Sequence, residues 1–290
     1  KMYLTDNSND SIHTFELSTP WDITTASYIF ETFSPNEDSN PLSMSFKPDG
    51  TRLIVLGSTT ETLYEYNLST PWDITTATYS GNSSSGLWNP ADSRDVIFKP
   101  DGTSFILADT RGGINGVLQQ FNLSTPWDIT SMTLYETYVI GSVFEGGWAV
   151  DVSSDGTKMI VISYITDELH SFTLSTSWDL KTVSYDNVTF DPAAQTTSPL
   201  SLQFKSEGDK LFLLGQNERT IFQYTTATVN EIGSSLLLDE NIEWKEGSQP
   251  TFSPTGQKDW FRFQTLDQGT SWIGETVYQG LTQGKRPVGT

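Results

Sequence analysis

At 290 residues the chain has room for one continuous repeat core plus a tail. Its 36 acidic against 16 basic residues leave a formal charge of −20, which sets aside nucleic acid and anionic membrane surfaces as partners, since neither releases counterions to so acidic a protein. With no cysteine there is no disulfide, zinc–thiolate site or cysteine nucleophile; no apolar run is long enough to span a bilayer, and the N-terminus lacks the charged-then-apolar order of a signal peptide, so the chain reads as soluble.

In chain order the signals come round repeatedly. Lys1 aligns with Arg52, Lys158 and Lys210, the residues that follow a turn in later units, so the first unit lacks its first strand; an upstream segment or the C-terminal region is expected to supply it. A third strand around Phe15 leads to Ser18–Thr24, reading Ser-Thr-Pro-Trp-Asp-Ile-Thr, and a fourth strand spans Ala26 to Phe30. The second unit is complete. Leu42 to Phe46 enters the turn Phe-Lys-Pro-Asp-Gly-Thr, where glycine accepts positive φ, and Leu53 to Leu56 and Leu63 to Leu68 follow. The Trp turn returns at Ser69–Thr75, before the strand Ala77 to Tyr79. The third unit repeats this with Phe98–Thr103, Phe105 to Leu107, Val117 to Leu123, Ser124–Thr130 and Met132 to Tyr135. The fourth has Val152–Thr157, Met159 to Ile162, Leu169 to Leu174, a variant Trp turn at Ser175–Thr182 and Val183 to Tyr185; the fifth has Phe204–Asp209, Leu211 to Leu214 and Ile221 to Tyr224.

The period, about 51 to 55 residues between Trp21, Trp72, Trp127 and Trp178, matches a four-stranded propeller blade. Short β-rich runs with no helical periodicity make the protein all-β: a β-propeller of about five visible blades, with a sixth or more open, over residues 1–235. In the Pro-Trp-Asp turn the residue before proline is extended, proline fixes φ and aspartate bonds the backbone ahead, so the four tryptophans are read as structural, each with a buried indole packing between blades.

The Phe-Lys-Pro-Asp-Gly-Thr hairpin followed by an apolar strand is similar to YVTN and WD40-like propeller repeats. Together with the Ser-Thr-Pro-Trp-Asp-Ile-Thr turn it resembles repeats common in marine bacteria and their phages. The resemblance implies a fold rather than a function. Residues 236–290 depart from the repeat and are read as a small β-rich closure or attachment tail, in which Glu240 to Trp244 leads into Pro250, Lys258 to Phe263 and Asp267 to Trp272; Phe252–Lys258 imitates Phe46–Arg52, which keeps a degenerate sixth repeat as the alternative. Thr265–Trp272 fits a single Asp-box hairpin, and Glu243–Gly274 resembles C-terminal segments of bacteriophage tail-fibre and other virion proteins. Its aromatics, Trp244, Trp260, Trp272 and Tyr278 among them, are assembly candidates, and Gln279–Thr290 is expected to be an extended arm.

Chemistry-bearing motifs are sparse. His13 and His170 share one repeat position with Tyr64 and Gln119, which is the behaviour of a packing site, and no metal motif, Walker loop or Gly-x-Ser-x-Gly run occurs. No cofactor is expected, apart from calcium at the oxygen-rich loop Asp6, Asn7, Asn9 and Asp10, which otherwise reads as a solvated turn. Loops from each fourth strand to the next first strand vary freely and line the channel mouth; Trp88, Asn89, Asp92, Arg94, Glu145 and Trp148 are the candidates there for receptor or host-glycan contact. The functional expectation is a non-catalytic virion component, a tail fibre or other appendage that meets other virion subunits or copies of itself, with a secreted or surface bacterial adhesin as alternative and a propeller hydrolase third.

Overall fold

The computed structural model describes residues 1–6, 9–85, 93–110, 116–143, 146–205, 210–225, 242–244, 258–265 and 272–281. They fall into two compact units, Lys1–Leu236 and Leu237–Thr290.

The first unit is a five-bladed β-propeller of antiparallel sheets. Blade 1 has three strands, β1 (Met2–Asp6), β2 (Ser11–Leu17) and β3 (Ala26–Phe33). Blade 2 has four: β4 (Pro41–Phe46), β5 (Arg52–Gly57), β6 (Thr62–Leu68) and β7 (Ala77–Ser85). Blade 3 comprises β8 (Ser93–Phe98), β9 (Ser104–Asp109), β10 (Val117–Leu123) and β11 (Met132–Val139), and blade 4 comprises β12 (Gly147–Val152), β13 (Lys158–Ser163), β14 (Leu169–Leu174) and β15 (Val183–Phe190). Blade 5 holds β16 (Pro199–Phe204), β17 (Lys210–Gly215) and β18 (Thr220–Thr225), and the residues after Thr225 where its fourth strand would fall lie outside those described. Four strands per blade is therefore the pattern of the three middle blades. Fourth strands run three to six residues beyond the expected ends, because a bulge carries the chain past its apolar stretch and pairing continues through polar residues such as Ser83–Ser85.

The two repeated turns fold onto each other. At Gly50, Gly102 and Gly156 φ is 72°, 72° and 76°, and the preceding aspartate accepts the N–H and hydroxyl of the next threonine, as Asp49 does from Thr51 at 3.0 and 2.6 Å. Trp72, Trp127 and Trp178 donate their N–H groups to the carbonyls of those glycines at 3.0, 3.0 and 2.9 Å, and each indole lies where a glycine Cβ would be. To reach over, the four tryptophans adopt φ of 56° to 64°, and Asp22, Asp73, Asp128 and Asp179 then cap the short 3₁₀ turn that follows. The expectation of a buried indole in every copy needs correction: Trp127 and Trp178 are 5% and 6% exposed, but Trp21 and Trp72 are 37% and 39% exposed. In blades 2 to 4 the indole covers its own blade's turn, and the tryptophan carbonyl is the group that bridges blades.

That carbonyl accepts from the preceding blade at four junctions: from Tyr3 Oη onto Trp72, Arg52 Nη1 onto Trp127 at 2.7 Å, Gln120 Nε2 onto Trp178 at 2.9 Å, and Lys210 Nζ onto Trp21 at 3.1 Å. The last of these joins blade 5 to blade 1 and closes the ring, reinforced by the stack of Trp21 on Phe212, 6.0 Å between centroids. Apolar clusters fill the gaps between neighbouring blades, centred on Phe105 and Phe121, on Phe172 and Val161, on Leu213 and Ile162, and on Tyr66 and Val55. Repeat faces are thus buried pairwise, and each blade remains an open sheet with its first and last strands as edges.

The second unit is a sheet of order β19-β21-β20, formed by β19 (Ile242–Trp244), β20 (Lys258–Thr265) and β21 (Trp272–Leu281). β19 runs parallel to β21, so this sheet is not a blade-type meander. Thr265 pairs with Trp272 across the hairpin, and Trp260 pairs with Tyr278. Gln279 to Leu281 belong to β21, which corrects the reading of an extended arm from Gln279; residues 282–290 lie outside the described set.

Candidate functional site at the channel rim

The first strands β4, β8, β12 and β16 are neighbours around the ring, and their N-terminal ends carry the rim. Of the six rim candidates, Trp88, Asn89, Asp92 and Glu145 lie outside the described residues. Arg94 and Trp148 are brought together. Each is the second residue of its strand, in β8 and β12, so adjacent blades present them at one level, and the guanidinium carbon lies 4.5 Å from the centre of the Trp148 ring. Tyr164 stands 5.3 Å from Trp148, tilted at 52°. Gly146, at φ 71°, hands its carbonyl to the Tyr164 N–H at 3.0 Å and leaves the room that the tyrosine ring uses. An arginine and two aromatic rings thus form one face of the rim.

Carboxylates that sequence reading passed over lie beside and below. Glu61, in the turn after β5, accepts the Ser93 N–H at 3.1 Å; burial raises its pKa, the Ser93 bonds lower it, and Asp109 and Arg94 act on it with opposite signs. Asp95 occupies the repeat position held by Ser43, Ala149 and Ser201. It accepts from Ser43 Oγ in blade 2 at 2.6 Å and from the Val150 N–H in blade 4 at 3.0 Å, tying three blades. One interface earlier, Ser43 plays the same part for the Val96 N–H at 3.3 Å. Where Ala149 cannot, Asp151 two residues on accepts the Phe204 N–H of blade 5 at 2.6 Å. Burial, joined by the nearby charge of Asp95, pushes Asp151 up to about 7, although its backbone bonds pull the other way. Burial raises Asp95 too. The signal for both was available as a carboxylate where sister repeats hold Ser, Ala, Ile or Gln.

The remaining candidates take structural places. His13 and His170 each approach a tyrosine of the adjoining fourth strand, Tyr28 and Tyr185, both at 3.2 Å, and burial holds His170 down at about 4. In the proposed calcium loop the Asp6 carboxylate accepts from Asn9 N–H at 3.3 Å and Asn9 Nδ2 at 2.6 Å, Asp10 turns at φ 52°, and Asn7 lies outside the described residues. Among the described residues no group of three or more His, Cys, Asp or Glu side chains is placed to hold a metal. For Trp244, Trp260, Trp272 and Tyr278 the backbone pairing is defined and the side chains lie outside the described set.

No protein-family model matches the chain, and no curated protein matches its sequence. Solved structures match the fold. A protein from Lactobacillus plantarum aligns at TM-score 0.51 and 15% identity over 81% of this chain and 66% of that one. The Pseudomonas aeruginosa periplasmic gluconolactonase aligns at 0.48 and 14% over 78% and 62%, and a functionally unknown protein from Desulfotomaculum acetoxidans at 0.44 and 10% over 79% and 68%. The chain spans about two thirds of the length of these propellers. At such identities the likeness is one of fold alone.

Proposed function

We propose that this chain is a non-catalytic recognition propeller that takes a surface glycan at the channel rim, against the face built by Arg94, Trp148 and Tyr164. The observation that carries this reading is the Arg94–Trp148–Tyr164 array itself, two aromatic rings with a cation over one of them, in which two neighbouring first strands place Arg94 and Trp148 and the end of β13 places Tyr164. The acidic groups beneath it support binding over catalysis, because Asp95 and Asp151 spend their oxygens on backbone N–H groups of the next blade. The finer setting we propose is a virion appendage such as a tail fibre, supported by the tail-fibre resemblance of Glu243–Gly274, with a bacterial surface adhesin as its alternative. A second reading, hydrolysis, is favoured by one observation: a carboxyl raised to about 7 can hold a proton near neutrality.

One experiment separates them. The wild-type protein and Trp148→Ala are applied to a bacterial-surface glycan array and to a panel of lactones, esters and glycosides. Retention of glycans that Trp148→Ala loses, without turnover, is the expected result. Turnover abolished by Asp151→Asn overturns it in favour of the hydrolase.

A further inference from the structure

Fourth strands β3, β7 and β15 share a bulge at which one residue takes positive φ. In β7 that residue is Gly81 at 89° and in β15 it is Asn187 at 55°, the two residue types that enter the left-handed region at least cost. In β3 it is Phe30 at 60°. A bulky aromatic is a poor choice for this backbone. Burial does not compensate, for Phe30 is 82% exposed, the most exposed of the large apolar side chains among the described residues.

Its surroundings are repeated in blade 4 and thereby offer an internal control. Tyr28 lies 5.3 Å from Phe15 and 5.6 Å from His13, and Tyr185 lies 5.2 Å from Phe172 and 6.0 Å from His170. That trio folds equally with Asn187 at the bulge, so packing does not require the phenylalanine. What Phe30 adds is a second ring 4.7 Å from Tyr28, itself 36% exposed, on the outer edge of the ring of blades. Strain retained without a folding benefit points to function.

The patch also limits what can occupy it. Two rings offer at most a few hundred Å², well short of the roughly 800 Å² per partner of a stable protein interface. The bulge at an edge strand opposes addition of a further strand. Ser27 and Thr32 on the same strand are exposed, and Glu31 is paired with Lys1 at 2.8 Å, so the strand that carries the rings also carries hydrogen-bonding groups. The charge of −20 disfavours an anionic ligand. We infer that Phe30 and Tyr28 form a saccharide-stacking site on blade 1 that takes the apolar face of a neutral pyranose, separate from the rim.

The test uses the whole chain on an array of neutral pyranose oligosaccharides, with Phe30→Gly and Phe30→Asn copying blades 2 and 4, and Phe30→Trp keeping a ring. The wild type and Phe30→Trp should retain a set of sugars for which Phe30→Gly and Phe30→Asn are weaker by roughly tenfold, the scale of one lost aromatic contact. Thermal unfolding midpoints of the Gly and Asn variants should match or exceed that of the wild type, and Trp148→Ala should keep this set. Three results would overturn the inference: equal sugar retention by wild type and Phe30→Gly, including none by either; a lowered midpoint in both small variants, which makes Phe30 a folding residue; or wild-type dimers that Phe30→Gly dissolves. Sugars lost by Trp148→Ala alone would leave the rim reading standing and remove this one.

Discussion

Replacing Trp127 by alanine probes the joint between the two repeated turns. Trp127 is 5% exposed and stacks on Phe98 at 5.1 Å and 12°, and the stack continues through Phe105 at 4.9 Å to Phe121 at 5.0 Å. Truncating a buried side chain of this size costs about 3–5 kcal/mol, which includes one aromatic pair. Trp72 does the same job in blade 2 but is 39% exposed and tilted 37° to Phe46, so Trp72→Ala should cost about 2–3 kcal/mol by the burial it loses. Backbone conformation adds a second comparison. Alanine still carries a Cβ at the 63° φ of Trp127, whereas glycine does not, so Trp127→Gly should be the milder variant by about 1 kcal/mol, the reverse of the usual order. Urea unfolding followed by far-UV circular dichroism gives all three. Equal losses at positions 72 and 127, or glycine harsher than alanine, would refute the account of the turn.

Gly102→Ala should cost about 2–4 kcal/mol, because its Cβ would run into the Trp127 indole, while Gly81→Ala, with open space around it but φ of 89°, should cost about 1 kcal/mol; unfolding midpoints check the difference. Stability against pH should carry two opposed slopes. Asp151 moves from 3.8 unfolded to about 7 folded, so the native state holds the extra proton and the wild type should lose stability relative to Asp151→Asn as pH rises from about 4 to about 7. His170 moves from 6.5 down to about 4, so the wild type should gain stability relative to His170→Gln over about pH 4 to 6.5 and stay level above it. Parallel curves for either pair would show that the burial reasoning fails there.

The blades were legible because both turn signals are local: Asp-Gly needs a positive φ, and Pro-Trp-Asp sets its own cap. Third strands were equally clear from the aromatic at Tyr66, Phe121, Phe172 and Tyr224, all of which are buried. Less was visible where pairing continues without apolar pattern, as at Ser83–Ser85, or where backbone strain is involved, since a tryptophan at positive φ has no compositional signature. At the rim, Arg94 and Trp148 could be named but not their contact, which depends on two strands more than fifty residues apart sharing a register. Asp95 and Asp151 were hidden among many carboxylates, and only a column-by-column comparison of repeats separates them.

The most direct test of the recognition account is a crystal structure of the protein with a glycan that Trp148→Ala fails to retain. An intact sugar ring lying on Trp148 beside the Arg94 guanidinium is the predicted result. A vacant rim with the sugar bound elsewhere, or a cleaved sugar next to Asp151, would contradict it.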